Sequence, residues 1–464
     1  MIQRTSGNRV FRNNGEKAIA GFCLCLRIPL SAIFLFGLVL SPGGSEGAPL
    51  HGQVIVDESN PAWLKYSGGG PFFMVGPGDP EGFLYLGSRN SDGTRSGDQM
   101  TLINKLKGTG ANCIYLMAVR SHGGDGDSTH NPFVGSDASN ALDEDILNQW
   151  ETWFTEMDNN GIVIYFFFYD DNIKVSSSLG WPLDGSGNLH PQEQYFVETI
   201  VNRFEHHKHL IWAVMEEVQE MGSDYRQHAK KIAETIRQTD DHDHAIGVHK
   251  LNGLSFSDFE DDPNIDQFAI QYNVSTTSSL HNGMVTAWNN AGGRYNLNMS
   301  EWESSTGSTA RRQSWAIAMG GAYVMLCGWT IANSSVGDLE DCGRVVSFME
   351  STDINEMAPH DELAYGGTLY VLANPGDSYI AYASSLSGDM GLRGMTAGSY
   401  DFKWYDVTDG TTVIEEDVVV GAGDRTWTKP GSIGNELALY VKRVSSLPDP
   451  PPEAPSDLQI IYGD

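Results

Sequence analysis

The sequence predicts a closed (β/α)8 barrel followed by a small antiparallel β-sandwich. Three observations carry this reading. Eight short apolar runs alternate with longer amphipathic stretches between Phe72 and Cys327. Several of those runs are continuously apolar, as strands covered on both faces must be. After about Pro359 the period changes, and short alternating segments separated by Gly and Asp turns take over, which is the mark of antiparallel sheets.

The strand-like runs, in order, are Phe72–Gly76, Cys113–Val119, Ile162–Phe168, Leu210–Met215, Ala245–His249, Ile265–Gln271, Tyr295–Met299 and Ala322–Cys327. Between and after them lie helical patterns at Gln99–Gly108, Glu144–Asn160, Pro191–His206, Asp224–Thr239, Leu280–Ala291, Ala310–Gly320 and Cys342–Ser351. Repeated β-then-α units close into a parallel barrel. An open doubly wound sheet is the alternative, but it usually carries a glycine-rich phosphate turn after an early strand, and no G-x-G-x-x-G occurs here. The later strand-like segments are Thr368–Ala373, Tyr379–Ala383, Ser399–Asp406, Thr412–Val420 and Leu437–Val441. Pro448 to Pro455 then reads as a stiff extended linker. Asp457–Tyr462 resembles the opening of a fibronectin-type module, so the natural chain is expected to continue.

The expected boundaries are a targeting segment over 1–47, a barrel over 54–360, a sandwich over 361–443 and a linker over 444–464. A length of 464 residues accommodates them. Such a barrel takes roughly 250–300 residues and a small sandwich about 80. At the N-terminus, Arg4, Arg9, Arg12, Lys17 and Arg27 surround or precede an apolar run, Ile28–Leu40, and small residues follow up to Ala48. That is the order of a secretory signal, with cleavage before Ala48 and a secreted, periplasmic or cell-surface destination. Ala18–Leu40 is also long enough for an uncleaved anchor, but Arg27 and Pro29 interrupt it.

The first 47 residues hold five basic and two acidic residues, so the remainder carries a formal charge of −34. Such a surface repels phosphate backbones, and no nucleic-acid partner is expected. No membrane partner is expected after cleavage. Of the five cysteines, Cys23 and Cys25 lie in the targeting segment. Cys113, Cys327 and Cys342 form no disulfide framework and have no metal-ligand spacing. Core packing is the expectation for Cys113 and Cys327, and a Cys327–Cys342 bridge stays open.

Catalytic groups of such barrels stand at the C-terminal ends of the strands. The first strand is followed by Gly76-Pro77-Gly78-Asp79-Pro80-Glu81, whose glycines allow a turn aiming Asp79 inward, although a capped turn reads equally well. The second is followed by Arg120, Ser121 and His122, with Arg120 and His122 suited to sugar hydroxyls. The Asp125-Gly126-Asp127 beyond them lacks the spacing and closing glutamate of a calcium loop. The third ends in Tyr169-Asp170-Asp171-Asn172, where binding or a helix N-cap competes. The fourth, Leu210–Met215, runs straight into Glu216-Glu217. His249 ends the fifth, and Gln271 and Tyr272 the sixth. The seventh ends in Ser300-Glu301-Trp302-Glu303, and the eighth is followed by Trp329.

Two carboxyl groups flanking a glycosidic bond suffice to hydrolyse it: one protonates the leaving oxygen, and the other attacks the anomeric carbon or activates water. Glu217 and Glu301 fall on strands from opposite sides of a barrel mouth. A glutamate buried among aromatics keeps its proton and serves as the acid. Tyr169, Tyr272, Trp302 and Trp329 offer stacking faces for sugar rings, although an aromatic at a strand end more often packs the barrel. No G-x-S-x-G or H-E-x-x-H occurs. His206-His207-Lys208-His209 and His242-Asp243-His244 have the look of metal clusters. Both precede a strand, on the face that serves stability, and are expected to be solvated turns. Neither metal nor cofactor is expected.

Six motifs resemble one family in their order: Asn60-Pro61-Ala62-Trp63-Leu64 through Phe72-Phe73-Met74, Ile211–Glu217, Val248-His249, Asn298-Met299-Ser300-Glu301, Arg311–Ala316 with Gly320-Gly321-Ala322, and Met357-Ala358-Pro359-His360. From about Asn60 to Arg443 the chain resembles the apiosidase-like, cellulase-related barrel hydrolases that carry a C-terminal β-sandwich named for collagen binding. The resemblance implies a secreted retaining glycosidase acting on a polysaccharide or oligosaccharide, with Glu217 as acid/base and Glu301 as nucleophile. Collagen binding is not inferred from that family label, and a packing role is expected for the sandwich. Glu216 stands where that family usually has Asn, which contacts the sugar 2-hydroxyl. A charge there raises one of the two adjacent pKa values, so the division of labour between Glu216 and Glu217 is open. Two other readings remain: a non-catalytic carbohydrate-binding protein on a barrel scaffold, and a lyase for uronate-containing glycans using Arg120, His249 and Tyr272.

Overall fold

The computed structural model describes residues 48–78, 82–120, 126–170, 181–221, 225–251, 254–326 and 329–444. The targeting segment, Asp79, Glu81, His122, Cys327 and the Pro-rich linker lie outside the described residues. Among the described residues, no helix is long and apolar enough to cross a membrane.

A short hairpin, β1 (Val54–Val56) and β2 (Leu64–Tyr66), comes first. The Val54 amide donates to the Lys208 carbonyl (2.9 Å), just before a barrel strand begins, so the hairpin covers the N-terminal face. Eight parallel strands follow: β3 (Val75–Gly76), β4 (Cys113–Val119), β5 (Val163–Tyr169), β6 (Leu210–Met215), β7 (Ile246–Leu251), β8 (Gln267–Gln271), β9 (Asn296–Glu301) and β10 (Tyr323–Met325). They form one sheet in the order β3-β10-β9-β8-β7-β6-β5-β4. Between β3 and β4 the seam is closed by Asn112 N–H to Val75 O (3.0 Å) and Tyr115 N–H to Gly78 O (2.8 Å). Gly76 permits this approach, since a Cβ there would lie 2.7 Å from the Cys113 amide nitrogen. The predicted (β/α)8 barrel is what the chain forms.

Around it run α1 (Gln99–Leu106), α2 (Glu144–Asp158), α3 (Pro191–Phe204), α4 (Tyr225–Thr239), α5 (Thr277–Ala291), α6 (Gly307–Met319) and α7 (Val336–Glu350). Strand and helix layers pack through aromatics. On β5, for example, Phe166 and Phe168 face outward to Trp150, Phe196 and Phe204, while Tyr165 and Phe167 turn inward to Tyr115. That alternation is the pleat at work on a strand buried on both faces.

The histidine-rich turns are corrected by the structure. His207 is 2 % exposed and His244 fully buried, so neither is a solvated surface residue. His244 Nδ1 lies 2.9 Å from Asp240 Oδ2, which also accepts from Trp212 Nε1 (3.1 Å). Together they form a polar plug beneath β6. Cys342 is a free, buried thiol, which removes the Cys327–Cys342 bridge.

Beyond the barrel come β11 (Ala358–Pro359), β12 (Ala364–Gly366), β13 (Tyr370–Asn374), β14 (Ser378–Ala383), β15 (Met390–Met395), β16 (Gly398–Asp406), β17 (Thr412–Val420), β18 (Gly423–Trp427) and β19 (Leu437–Arg443). They make a six-stranded antiparallel sheet, β11-β13-β14-β19-β16-β17, and a three-stranded one, β12-β15-β18. The larger sheet is buried on both sides. Val371, Ala373, Tyr379 and Ala381 join Met390 and Leu392 in a cluster between the sheets. Their neighbours Tyr370, Leu372, Ile380 and Tyr382 join the barrel core. Tyr382 stacks on Trp315 of α6 (centroids 5.3 Å apart, planes at 3°), and Tyr370 stacks on His281 of α5 at 3.6 Å. Glu436 receives Arg311 through both oxygens (3.0 and 3.1 Å) and Arg312 as well.

Because this interface is core, barrel and sheets should unfold together. Trp315→Ala is expected to cost about 3–5 kcal/mol, as a large aromatic truncated in a core does, and to lower the midpoint of a single calorimetric transition. A separate transition for the sheets, left unmoved by the substitution, would show the domains to be independent.

Candidate active site

The strand register sets the rim of the barrel. On one half Val119, Tyr169 and Met215 stand side by side; on the other Leu251, Gln271 and Glu301 do. The ladder runs one residue further, with Asp170 N–H on Val119 O (3.2 Å) and Glu216 N–H on Tyr169 O (3.1 Å). Arg120, Asp170, Glu216, Glu217, Glu301 and Trp302 are therefore all delivered to the C-terminal rim by the strands that precede or contain them.

Glu216 is 3 % exposed, and its Oε1 accepts a hydrogen bond from the Tyr115 hydroxyl at 2.5 Å. That is the length of a charge-assisted contact. Glu217 is half-buried and has φ +35°, the left-handed region that a side chain with a Cβ rarely adopts. Such a conformation costs on the order of 1–3 kcal/mol and persists where the surroundings hold it. Part of the hold is visible: the Glu217 amide donates to His249 Nδ1 (3.1 Å). With Nδ1 accepting, the imidazole carries its proton on Nε2. Burial pushes the His249 pKa down to about 3, so the ring is neutral at ordinary pH. Its Nε2 is buried and makes no hydrogen bond among the described residues.

Glu301 ends β9, half-buried. Opposite β8 the register slips between Ile270 and Gln271, leaving Ser300 as the extra residue of a bulge. Ser300 Oγ turns to the Ile270 carbonyl (3.1 Å). Bulges of this kind re-aim the next side chain and recur beside active sites. β6 and β9 are separated by β7 and β8, so His249 and Gln271 stand between the two glutamates. Gln271 Oε1, like His249 Nε2, is buried without a hydrogen bond among the described residues.

Trp302 is 4 % exposed, with Nε1 unbonded among the described residues. Trp329 donates Nε1 to Ser305 O (2.8 Å) and lines a cavity of about 220 Å³ with Thr306, Asn333 and Asp338. Arg120 and Asp170 form a buried pair (3.7 Å). Arg120 also borders a cavity of about 330 Å³ with Asp127, His130 and Asn131.

One expected stacking residue, Tyr169, is placed elsewhere. Tyr169 packs on Phe196 of α3 and donates its hydroxyl to the buried Glu193 (2.9 Å), which His228 also contacts. Its ring belongs to the wall between strand and helix. Tyr272 lies against α5, where Gly283 leaves the space: a Cβ there would meet Tyr272 Cε1 at 2.7 Å. Sequence reasoning missed Tyr115. Its only signal was a phenol inside an otherwise apolar run, and only its partner across the barrel reveals its role. The same holds for the polar floor, in which Tyr165 donates to Gln267 (2.6 Å) and Gln267 to Asn296 (2.5 Å).

No protein-family model and no curated protein matches the chain. Solved structures do. One described as a glycoside hydrolase superposes with a TM-score of 0.62 at 13 % identity, covering 85 % of this chain and 98 % of its own. A family 5 glycoside hydrolase from Bacteroides vulgatus superposes at 0.61 and 13 % identity, covering 86 % of this chain and 95 % of its own.

Buried, neutral His249 makes a signed prediction. Its folded pKa lies below the ordinary value of about 6.5, so the unfolded chain binds the extra proton on acidification. Stability should be unaffected above pH 6.5 and fall below it, by up to about 1.4 kcal/mol per pH unit towards pH 3. Urea midpoints measured from pH 7 to pH 4 should show this slope in the wild type and a shallower one in His249→Gln. Equal slopes would mean that His249 titrates normally. Among the described residues, then, the barrel's C-terminal rim carries paired glutamates on the frame shared with the two solved hydrolases.

Proposed function

We propose that the protein is a secreted glycoside hydrolase that cleaves a polysaccharide or oligosaccharide by a retaining mechanism, with Glu217 as acid/base and Glu301 as nucleophile. The observation that carries this reading is the backbone at the two glutamates. One sits on a left-handed residue, the other directly after a bulge, and both are half-buried at strand ends. Each distortion also occurs elsewhere in the chain, but here both fall on or beside glutamates at barrel strand ends. The two superposed structures are named as glycoside hydrolases, and the apiosidase-like resemblance of the sequence points the same way.

In this reading Glu217 gives its proton to the leaving oxygen while Glu301 attacks the anomeric carbon. Glu217, now ionised, then takes a proton from the water that releases the sugar. Glu216 is a binding group. The Tyr115 phenol holds one of its oxygens, and the carboxylate accepts from a sugar hydroxyl. His249 Nε2–H and Gln271 Oε1 supply a donor and an acceptor between the two glutamates. Trp302, Trp329 and the Arg120–Asp170 pair line the adjoining subsites, and the sequence adds Asp79 and His122 as further binding residues.

The test is reducing-sugar release from a panel of plant and algal polysaccharides by the wild type and by Glu217→Gln and Glu301→Gln. Each substitution is expected to lower kcat by about three orders of magnitude or more with the fold retained. Unchanged turnover in either variant removes that residue from its role. Glycan binding without release by the wild type would favour a binding protein. Release confined to uronate polymers, with an unsaturated product, would favour a lyase. Glu216→Gln separates the adjacent glutamates: it should cost roughly tenfold less in kcat than Glu217→Gln, because a glutamine still meets a sugar hydroxyl.

A further inference from the structure

At the opposite, N-terminal face of the barrel, Glu151 of α2 meets His206 and His207 from the turn between α3 and β6. Glu151 Oε1 lies 3.0 Å from His206 Nε2 and 3.5 Å from His207 Nε2, and one ligand atom from each of the three falls within 4.8 Å of the others. Four ligands held tetrahedrally around zinc at 2.0–2.1 Å are about 3.3 Å apart, close to the two distances from Glu151 Oε1. Two atoms of the group are buried and unsatisfied. His207 Nε2 makes no hydrogen bond on a side chain only 2 % exposed, and Glu151 Oε2 makes none either. Leaving such atoms unpaired costs on the order of 1–3 kcal/mol each. A cation among the three residues would face the His207 Nε2 lone pair and remove that cost there.

The surroundings match a metal site in other respects. His206 is half-exposed and leaves solvent access for a fourth ligand. The His206 and His207 rings lie 4.1 Å apart, converging on one carboxylate. Phe154 and Phe204 pack around His207 and fix its ring. Asp158, seven residues after Glu151 on the same face of α2, stands 4.0 Å from His207 Nδ1, within ionic but not hydrogen-bond reach. Asp158 also bonds His209 Nδ1 (2.9 Å), so the turn is already bent onto the helix.

We propose that Glu151, His206 and His207 form a structural site for a divalent transition ion of zinc type, remote from the glutamate rim, that ties the C-terminal half of α2 to the turn entering β6. Two imidazoles and one carboxylate suit zinc and exclude the hard, all-oxygen ions calcium and magnesium.

The experiment uses tag-free, EDTA-treated full chain. Calorimetric titration with zinc chloride is expected to give one ion per chain. Zinc at about a hundred times its Kd should raise Tm by about 3 °C, and cobalt(II) should give the visible absorption of a tetrahedral site. His206→Ala removes a half-exposed ligand without opening the core, and Glu151→Gln keeps the shape of its side chain. Each should weaken zinc binding roughly tenfold or more and cut the Tm rise at the same zinc concentration to about half or less, with unchanged far-ultraviolet circular dichroism. Calcium should leave Tm unmoved. Equal zinc affinity and equal Tm shifts in the wild type and both variants would overturn the proposal, as would the absence of any one-to-one binding by the wild type.

Discussion

Closure of the sheet between β3 and β4 is the constraint on which the rest of the molecule depends. Two backbone hydrogen bonds and the missing Cβ of Gly76 bring the first and second barrel strands together. Once the ring closes, all eight parallel strands end on one rim, and every residue after a strand end is delivered to the same mouth. Residues as far apart in the chain as Tyr115 and Glu216 then meet at hydrogen-bond distance. Without closure β4 would be an edge, and the side chain of Tyr115 would have no facing wall.

The same burial logic extends beyond the barrel. In the central strands β13, β14 and β19 both phases of the period of two are apolar, because one face meets the barrel helices and the other meets the small sheet. Its outer edge, β17, is blunted differently. Glu415, Glu416 and Asp417 line it, and charge on an edge discourages pairing with another chain. One face of the larger sheet thus belongs to the barrel core, and the sheets buttress α5, α6 and α7.

Much of this was legible in the sequence, for identifiable reasons. Cys113–Val119 and Leu210–Met215 were bounded to the residue because a continuous apolar run between polar flanks has one solution. β12, β15 and β18 were not visible. They are short or glycine-bearing (Met390–Met395 contains two glycines), and an exposed, irregular strand lacks the apolar period that marks a buried one. Glu217 and Glu301 could be picked out because a charged residue directly after an apolar strand must sit on the rim. Tyr169 could not be placed from the same rule. Its hydroxyl found Glu193 in the helix layer, a partner 24 residues away that no local pattern announces. The burial of His207 and His244 was missed because histidines beside charged residues read as surface, whereas each pairs with a carboxylate brought in by a neighbouring helix or loop.

The charge balance of the rim bears on what it receives. Among the described residues it presents Glu216, Glu217, Glu301 and Asp170 against Arg120, which is already paired with Asp170. His249 adds no positive charge, because its burial keeps it neutral. A uronate entering here would bring a further negative charge into a partly desolvated site, where like charges repel strongly. A neutral sugar brings hydroxyl donors to a ring of carboxylate acceptors. The replacement of the expected Asn by Glu216 works in the same direction. A carboxylate held by Tyr115 accepts from hydroxyls and never donates. The rim thus suits a ligand rich in hydroxyl donors and poor in negative charge, the class of substrate proposed above.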